Sequence, residues 1–206
     1  MELRLAMNAF KRMGIIFFCF ITACTPPQQP ASEVPVNKVI SLEKRNTETA
    51  TISSWEIQGA MAAKNKAKGW SATMNWVQKG PGSYQIRLMG PLGGGAVVIN
   101  KQGKVITFQD GAKTATATNA DELLLKQTGI KLPVNNLYYW VRGLRAPGAV
   151  QSEQHDQFNH LTQLSQSGYT INFTKYTSVK GIDLPSMIRL EGNGVMIKVI
   201  IKKWTV

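Results

Sequence analysis

The stretch from Trp70 to Val77 reads W-S-A-T-M-N-W-V. Trp70, Ala72, Met74 and Trp76 alternate with Ser71, Thr73 and Asn75. That period of two puts one set on a covered strand face and the other on a wet one. S-Y-Q-I-R-L repeats it with Tyr84, Ile86 and Leu88, and G-Y-T-I-N-F with Tyr169, Ile171 and Phe173. Turn residues separate the runs: Gly80–Pro81–Gly82, the glycine in Lys101 to Lys104, and Ser167–Gly168. Alternation of this kind marks antiparallel pairing, with one face buried and one solvated. About eleven strands follow from it, near 55–64, 68–79, 82–89, 95–100, 103–108, 112–117, 149–154, 157–166, 169–177, 182–190 and 195–203.

Helical signals are few. Residues 41–53 lack Gly and Pro and place Glu48 three residues after Arg45. N-A-D-E-L-L-L-K-Q-T-G offers Asn119 as N-cap, Glu122 three positions on, and Gly129 as a stop. The next run opens at Pro133 and closes at Gly143, with Leu137, Trp140, Val141 and Leu144 on one stripe. The expected fold is therefore mainly β with a few helices. It is a strongly curved antiparallel half-barrel of about eleven strands, closed by helices over a hydrophobic cavity.

Upstream, residues 1–23 carry Arg4, Lys11 and Arg12 and then the short apolar run G-I-I-F-F-C-F-I. About 20 apolar residues are needed to span a bilayer, so this run reads as a secretion signal. It ends I-T-A-C, close to a lipoprotein cleavage pattern, which makes Cys24 the expected lipidation site. Thr25, rather than Asp, follows the cysteine and favours export to the outer membrane. Residues 24–37, with Pro26, Pro27, Pro30 and Pro35, read as a lipidated cysteine and flexible tether. Residues 38–206 read as a single domain. Cys19 falls within the signal, so no intramolecular disulfide is expected.

The chain holds 24 basic and 12 acidic side chains; removing Arg4, Lys11, Arg12 and Glu2 leaves 21 against 11. A balance of +10 suits acidic partners or anionic lipid, or serves solubility alone. No aromatic-basic module argues for nucleic acid. H-D-Q-F-N-H, which holds both histidines (His155 and His160), reads as a polar hairpin. No hydrolase, phosphate-loop, zinc or dinucleotide motif appears, so neither an enzyme nor a metal or other cofactor is expected beyond covalent lipid on Cys24. What the chain has in excess is large apolar side chains on sheet faces. Trp55, Trp70, Ala72, Met74, Trp76, Tyr84, Leu88, Leu137, Trp140 and Phe173 are candidates for an acyl-chain cavity, with ordinary core packing as the alternative.

Several stretches together carry a family likeness: W-E-I-Q-G-A-M-A (Trp55 to Ala62), Y-Q-I-R-L-M-G-P-L-G (Tyr84 to Gly93), L-L-K-Q-T-G-I-K-L-P-V-N-N-L-Y-Y-W-V-R-G-L (Leu124 to Leu144) and I-D-L-P-S-M-I-R-L. The chain resembles the outer-membrane lipoprotein LolB family over nearly all of residues 38–206. The resemblance implies a lipid-anchored receptor on the periplasmic face of the outer membrane. Such a receptor takes acylated lipoprotein cargo from the carrier LolA and inserts it among outer-membrane phospholipids. It also implies that Leu92, in P-L-G, is the membrane-contacting tip of a loop; here three glycines follow where a more polar run is usual. A monomer is expected. The alternatives are a passive envelope lipoprotein that binds a protein partner, and a soluble LolA-like acyl-chain carrier, against which Cys24 and the tether count.

Overall fold

The computed structural model describes residues 39–90 and 95–206. The expectations for Cys24, the tether and Leu92 fall outside the described residues. Eleven strands form one sheet: β1 (Trp55–Lys64), β2 (Gly69–Lys79), β3 (Ser83–Met89), β4 (Ala96–Gln102), β5 (Val105–Asp110), β6 (Lys113–Ala117), β7 (Val150–His155), β8 (Leu161–Gln166), β9 (Tyr169–Val179), β10 (Ile182–Gly192) and β11 (Val195–Thr205). Their order is β6-β5-β4-β3-β2-β1-β11-β10-β9-β8-β7, with every neighbouring pair antiparallel. β6 and β7 are free edges, so the sheet is open.

A sheet this wide does not lie flat, because neighbouring strands twist relative to one another by about 20–25°. Bulges help the strands bend. One falls at Gln58/Gly59, where any Cβ on Gly59 would sit 1.9 Å from the Ile200 carbonyl oxygen. Another flanks Pro185, which sits at an irregularity where a ladder donor is not needed.

Three helices accompany the sheet: α1 (Leu42–Thr51), α2 (Ala120–Thr128) and α3 (Val134–Trp140). Ser41 caps α1 by accepting from the Lys44 amide at 3.2 Å. Asn119 caps α2 by accepting from the Asp121 and Glu122 amides. Gly129 ends α2 in the left-handed conformation at φ 69°, where a side chain would be strained. The stripe expected on α3 is inward: Leu137, Trp140 and Val141 are buried, and Leu144 is half-buried.

Large apolar side chains from β1, β2, β3 and β11 meet in one aromatic cluster. Trp55 lies 5.0 Å from Trp76 and 5.5 Å from Trp204 between ring centroids, and Trp76 lies 6.1 Å from Tyr84. Trp76 is fully buried and donates its Nε1–H to Gln78 at 2.9 Å. Trp140 does the same to the buried Gln166, whose side chain also bonds both backbone groups of Ala146. The Trp76 and Trp140 indoles thus reach the core with their polar atoms satisfied, whereas the buried Trp55 nitrogen has no hydrogen-bond partner.

Candidate functional site

Between α2 and the β2–β5 part of the sheet lies an apolar recess of about 210 Å³. Trp70 and Ala72 of β2, Leu88 of β3, Val97 of β4 and Leu124 of α2 form its walls. Gly90 and Gly95, which flank residues 91–94, stand at its edge. The local cause is the alternation that began the sequence reading. Trp70 and Ala72 share a face with Met74 and Trp76, but Met74 and Trp76 are buried while Trp70 and Ala72 remain half-buried near the strand start. The Trp70 indole nitrogen is out of water and has no hydrogen-bond partner.

Of the sequence-derived cavity candidates, the recess brings together Trp70, Ala72 and Leu88. Trp55, Trp76 and Tyr84 belong to the aromatic cluster. Trp140 packs against Tyr169 at 5.7 Å. Met74, Leu137 and Phe173 are buried in the continuous core.

A larger recess of about 330 Å³ lies by α1, next to β7–β10. Its walls include Arg45, Arg142, Arg145, Glu153 and Asp183, charges that disfavour an acyl chain. Arg142 is buried and staples two elements: its Nε donates to the Tyr138 carbonyl at 3.0 Å and Nη1 to the Ile52 carbonyl at 2.7 Å. Its guanidinium lies 4.1 Å from the Tyr138 ring centroid, a cation–π contact. Arg145 pairs with Glu153 at the rim.

The sequence reading missed the polar centre beside this recess. H-D-Q-F-N-H does connect β7 to β8, but His160 turns inward and is 3% exposed. Its Nδ1 lies 2.9 Å from Asp156 Oδ2, and its Nε2 lies 2.9 Å from Asp183 Oδ2. Arg45 also points inward, contrary to the expected pairing with Glu48. It reaches Asp183 at 3.2 Å and the Phe158 carbonyl at 2.8 Å, while Lys44 takes Glu48. Tyr176 stacks on the His160 ring at 4.5 Å. Burial alone would raise the Asp156 pKa; hydrogen bonds from His160 and from the Phe158 amide outweigh it and hold the carboxyl below its ordinary value. Asp156 and Asp183 bind opposite nitrogens of one ring, so the donors do not converge on a point. Among the described residues no His, Cys, Asp or Glu group is arranged to hold a metal ion. The sequence signal for this centre is the pairing of an aspartate, Asp156, with a histidine four residues later, His160, in a tight hairpin.

Residues 53–204 match the family model described as outer membrane lipoprotein LolB. The chain belongs to the LolB family. Outer-membrane lipoprotein LolB of Coxiella burnetii (strain RSA 493) is 35% identical over 185 residues, covering 89% of this chain and 87% of that protein. The LolB of Halorhodospira halophila is 36% identical over 160 residues, covering 77% and 78%. A crystal structure of a LolA superfamily protein from Nitrosomonas europaea aligns with TM-score 0.49 and 9% identity, over 82% of this chain and 94% of that one. Among the described residues of this LolB-family chain, no helix is long and apolar enough to cross a membrane.

Proposed function

We propose that this LolB-family protein is an outer-membrane-anchored receptor on the periplasmic face. It accepts acylated lipoproteins from a LolA-like carrier and passes them into the outer membrane. The observation that carries the reading is the apolar recess walled by Trp70, Ala72, Leu88, Val97 and Leu124. Its apolar walls suit a hydrocarbon chain and offer little to a polar substrate. At about 210 Å³ it is smaller than the usual ligand pocket of about 300 Å³ or more. Cargo would enlarge it by displacing α2, a nine-residue helix.

The action is transfer by affinity difference, with no bond made or broken and no cofactor. Acyl chains leave the carrier when the receptor binds them better, and a preference of about 1.4 kcal/mol gives tenfold. Release follows because a bilayer accepts whole chains, at about 0.8 kcal/mol per buried methylene. Lipid on Cys24 would hold the receptor at the membrane, and Leu92 would be the tip that touches it.

The test uses cargo-loaded carrier with two readouts, cargo on the receptor and cargo in vesicles. In Leu92→Glu, cargo should still pass to the receptor, while insertion should fall at least tenfold because a charge at the tip resists entry into apolar lipid. Stability should stay within about 0.5 kcal/mol of the parent, as for an ordinary surface change. Failure of the parent protein to take cargo from the carrier would remove the receptor reading. Normal insertion by Leu92→Glu would remove only Leu92 from it.

A further inference from the structure

The rim of the apolar recess carries an unbalanced set of lysines. Lys64 ends β1, and Lys66 and Lys68 lie in the turn to β2; all three are exposed. Lys126, in the last turn of α2, is exposed too. The turn is tied to the end of that helix: Asn65 Nδ2 donates to the Gly129 carbonyl at 2.9 Å, and the Lys68 side chain lies directly against Gly129. The register sets this turn beside the recess, because Lys64 faces Gly69 next to Trp70, Thr73 faces Met89, and Met89 faces Ala96.

None of these four lysines forms an ion pair within 4 Å among the described residues. Fewer carboxylates stand near them: Asp110, which borders the recess and sits opposite Lys113 across β5–β6, and Glu122, one turn before Lys126 on α2, while Asp121 feels Lys131. Two large apolar side chains stand out in water nearby: Met89, 45% exposed, the last residue of β3 and on the face opposite the buried Leu88, and Leu125, 47% exposed on α2. The negative end of the α2 dipole accounts for one cation near Gly129, not for four.

We propose that Lys64, Lys66, Lys68 and Lys126, with Met89 and Leu125, form a surface that seats the mouth of the recess on anionic phospholipid headgroups. The purpose of this surface rests on the receptor reading. Basic side chains beside exposed apolar ones are the composition of an interfacial membrane contact: the cations meet phosphate while the apolar groups enter the acyl boundary. Protein–protein contacts favour arginine and are depleted in lysine, and the four cations named here are all lysine. A rim docked in this way would bring the recess and the bilayer together, leaving transferred chains no water to cross.

The full-length protein, purified from membranes, is reconstituted in vesicles of phosphatidylcholine alone or of phosphatidylcholine with one-third phosphatidylglycerol. Lysines are acetylated briefly and read by mass spectrometry. Lys66, Lys68 and Lys126 should react about fivefold more slowly in the anionic vesicles, the protection expected of charges near such a surface, and high salt should abolish the difference. Lys175 and Lys202, on other strands, serve as references. In the cargo assay, the double variant Lys66→Gln/Lys68→Gln should accept cargo normally and lose the stimulation of insertion by phosphatidylglycerol. Equal rim reactivity in both vesicle types overturns the proposal. So does rim protection by added carrier in neutral vesicles, which would make the surface a protein dock. Refusal of cargo by the parent protein would count against the receptor reading and leave the footprint result standing.

Discussion

Two of the three helices, α1 and α2, are held in opposite ways. α1 is pinned by a buried charge centre: Arg45 reaches Asp183, which also meets His160, which in turn meets Asp156. α2 carries a good N-cap and lies over an apolar recess without any comparable polar anchor in its middle. Buried charges have one low-energy arrangement, because each partner lost leaves an unpaired ion out of water. Apolar contacts are less directional and tolerate sliding. On the receptor reading proposed above, the half of the sheet under α1 stays fixed and the half under α2 is the one that would yield to a guest.

The largest break in this contrast comes from Asp183→Ala. It removes the buried carboxylate that the Arg45 guanidinium and the His160 ring both meet, leaving Arg45 the Phe158 carbonyl and His160 the Asp156 carboxylate. Stability should fall by about 3–5 kcal/mol, the usual cost of removing one partner of a buried pair, read as a lower urea midpoint at unchanged slope. α1 should become the first segment cut in limited proteolysis, with the recess under α2 still competent to bind an acyl probe. A loss within about 0.5 kcal/mol, the size of an ordinary surface change, would mean that water already reaches these charges and that α1 is no more firmly held than α2.

How much of this contrast was legible follows from the range of the forces involved. All eleven strands and the α2 caps could be read because they rest on local rules: alternation, turn residues, and a side chain that bonds an amide two or three positions on. The 41–53 helix was legible for the same reason. The fate of Arg45 was not, because its partner Asp183 is 138 positions away. Nothing in E-K-R-N-T-E tells which cation turns inward. Trp70 and Trp76 look alike in sequence, each on the same face of β2. One borders open space and the other is sealed, which depends on where α2 and the other aromatic rings come to rest. Periodicity reveals which face is covered and cannot reveal how completely it is filled.

Ala72→Leu sharpens the other side of the comparison. A leucine here extends into the recess rather than into packed neighbours. Affinity for a fluorescent acyl probe should drop about tenfold, equivalent to about 1.4 kcal/mol, while stability changes by less than about 1 kcal/mol. In a filled core the same overpacking costs about 1–3 kcal/mol. Urea titration and probe titration on one preparation separate the cases. Unchanged probe affinity would take Ala72 out of the guest site.

The smallest effect concerns the start of α2. Asp121 is half-buried, and its Oδ1 has no hydrogen-bond partner. Burial raises its pKa, although the Val134 amide bond and Lys131 pull the other way. Its folded pKa thus lies above the ordinary value of 3.8. The folded state is not penalised while the carboxyl is protonated in both states, below that ordinary value. The penalty grows as pH rises through the raised pKa and is complete above it. Asp121→Asn keeps an oxygen for the Val134 amide and removes the charge. It should match or exceed the parent in stability at neutral pH, by up to about 1 kcal/mol, since a helix N-terminus gives back part of the gain from removing a buried charge. The difference should shrink steadily as unfolding is repeated at lower pH. A variant less stable at neutral pH, or one whose advantage grew in acid, would show that Asp121 is a favourable charge at the head of α2. That helix would then have an electrostatic anchor of its own, and the contrast with α1 would be one of degree.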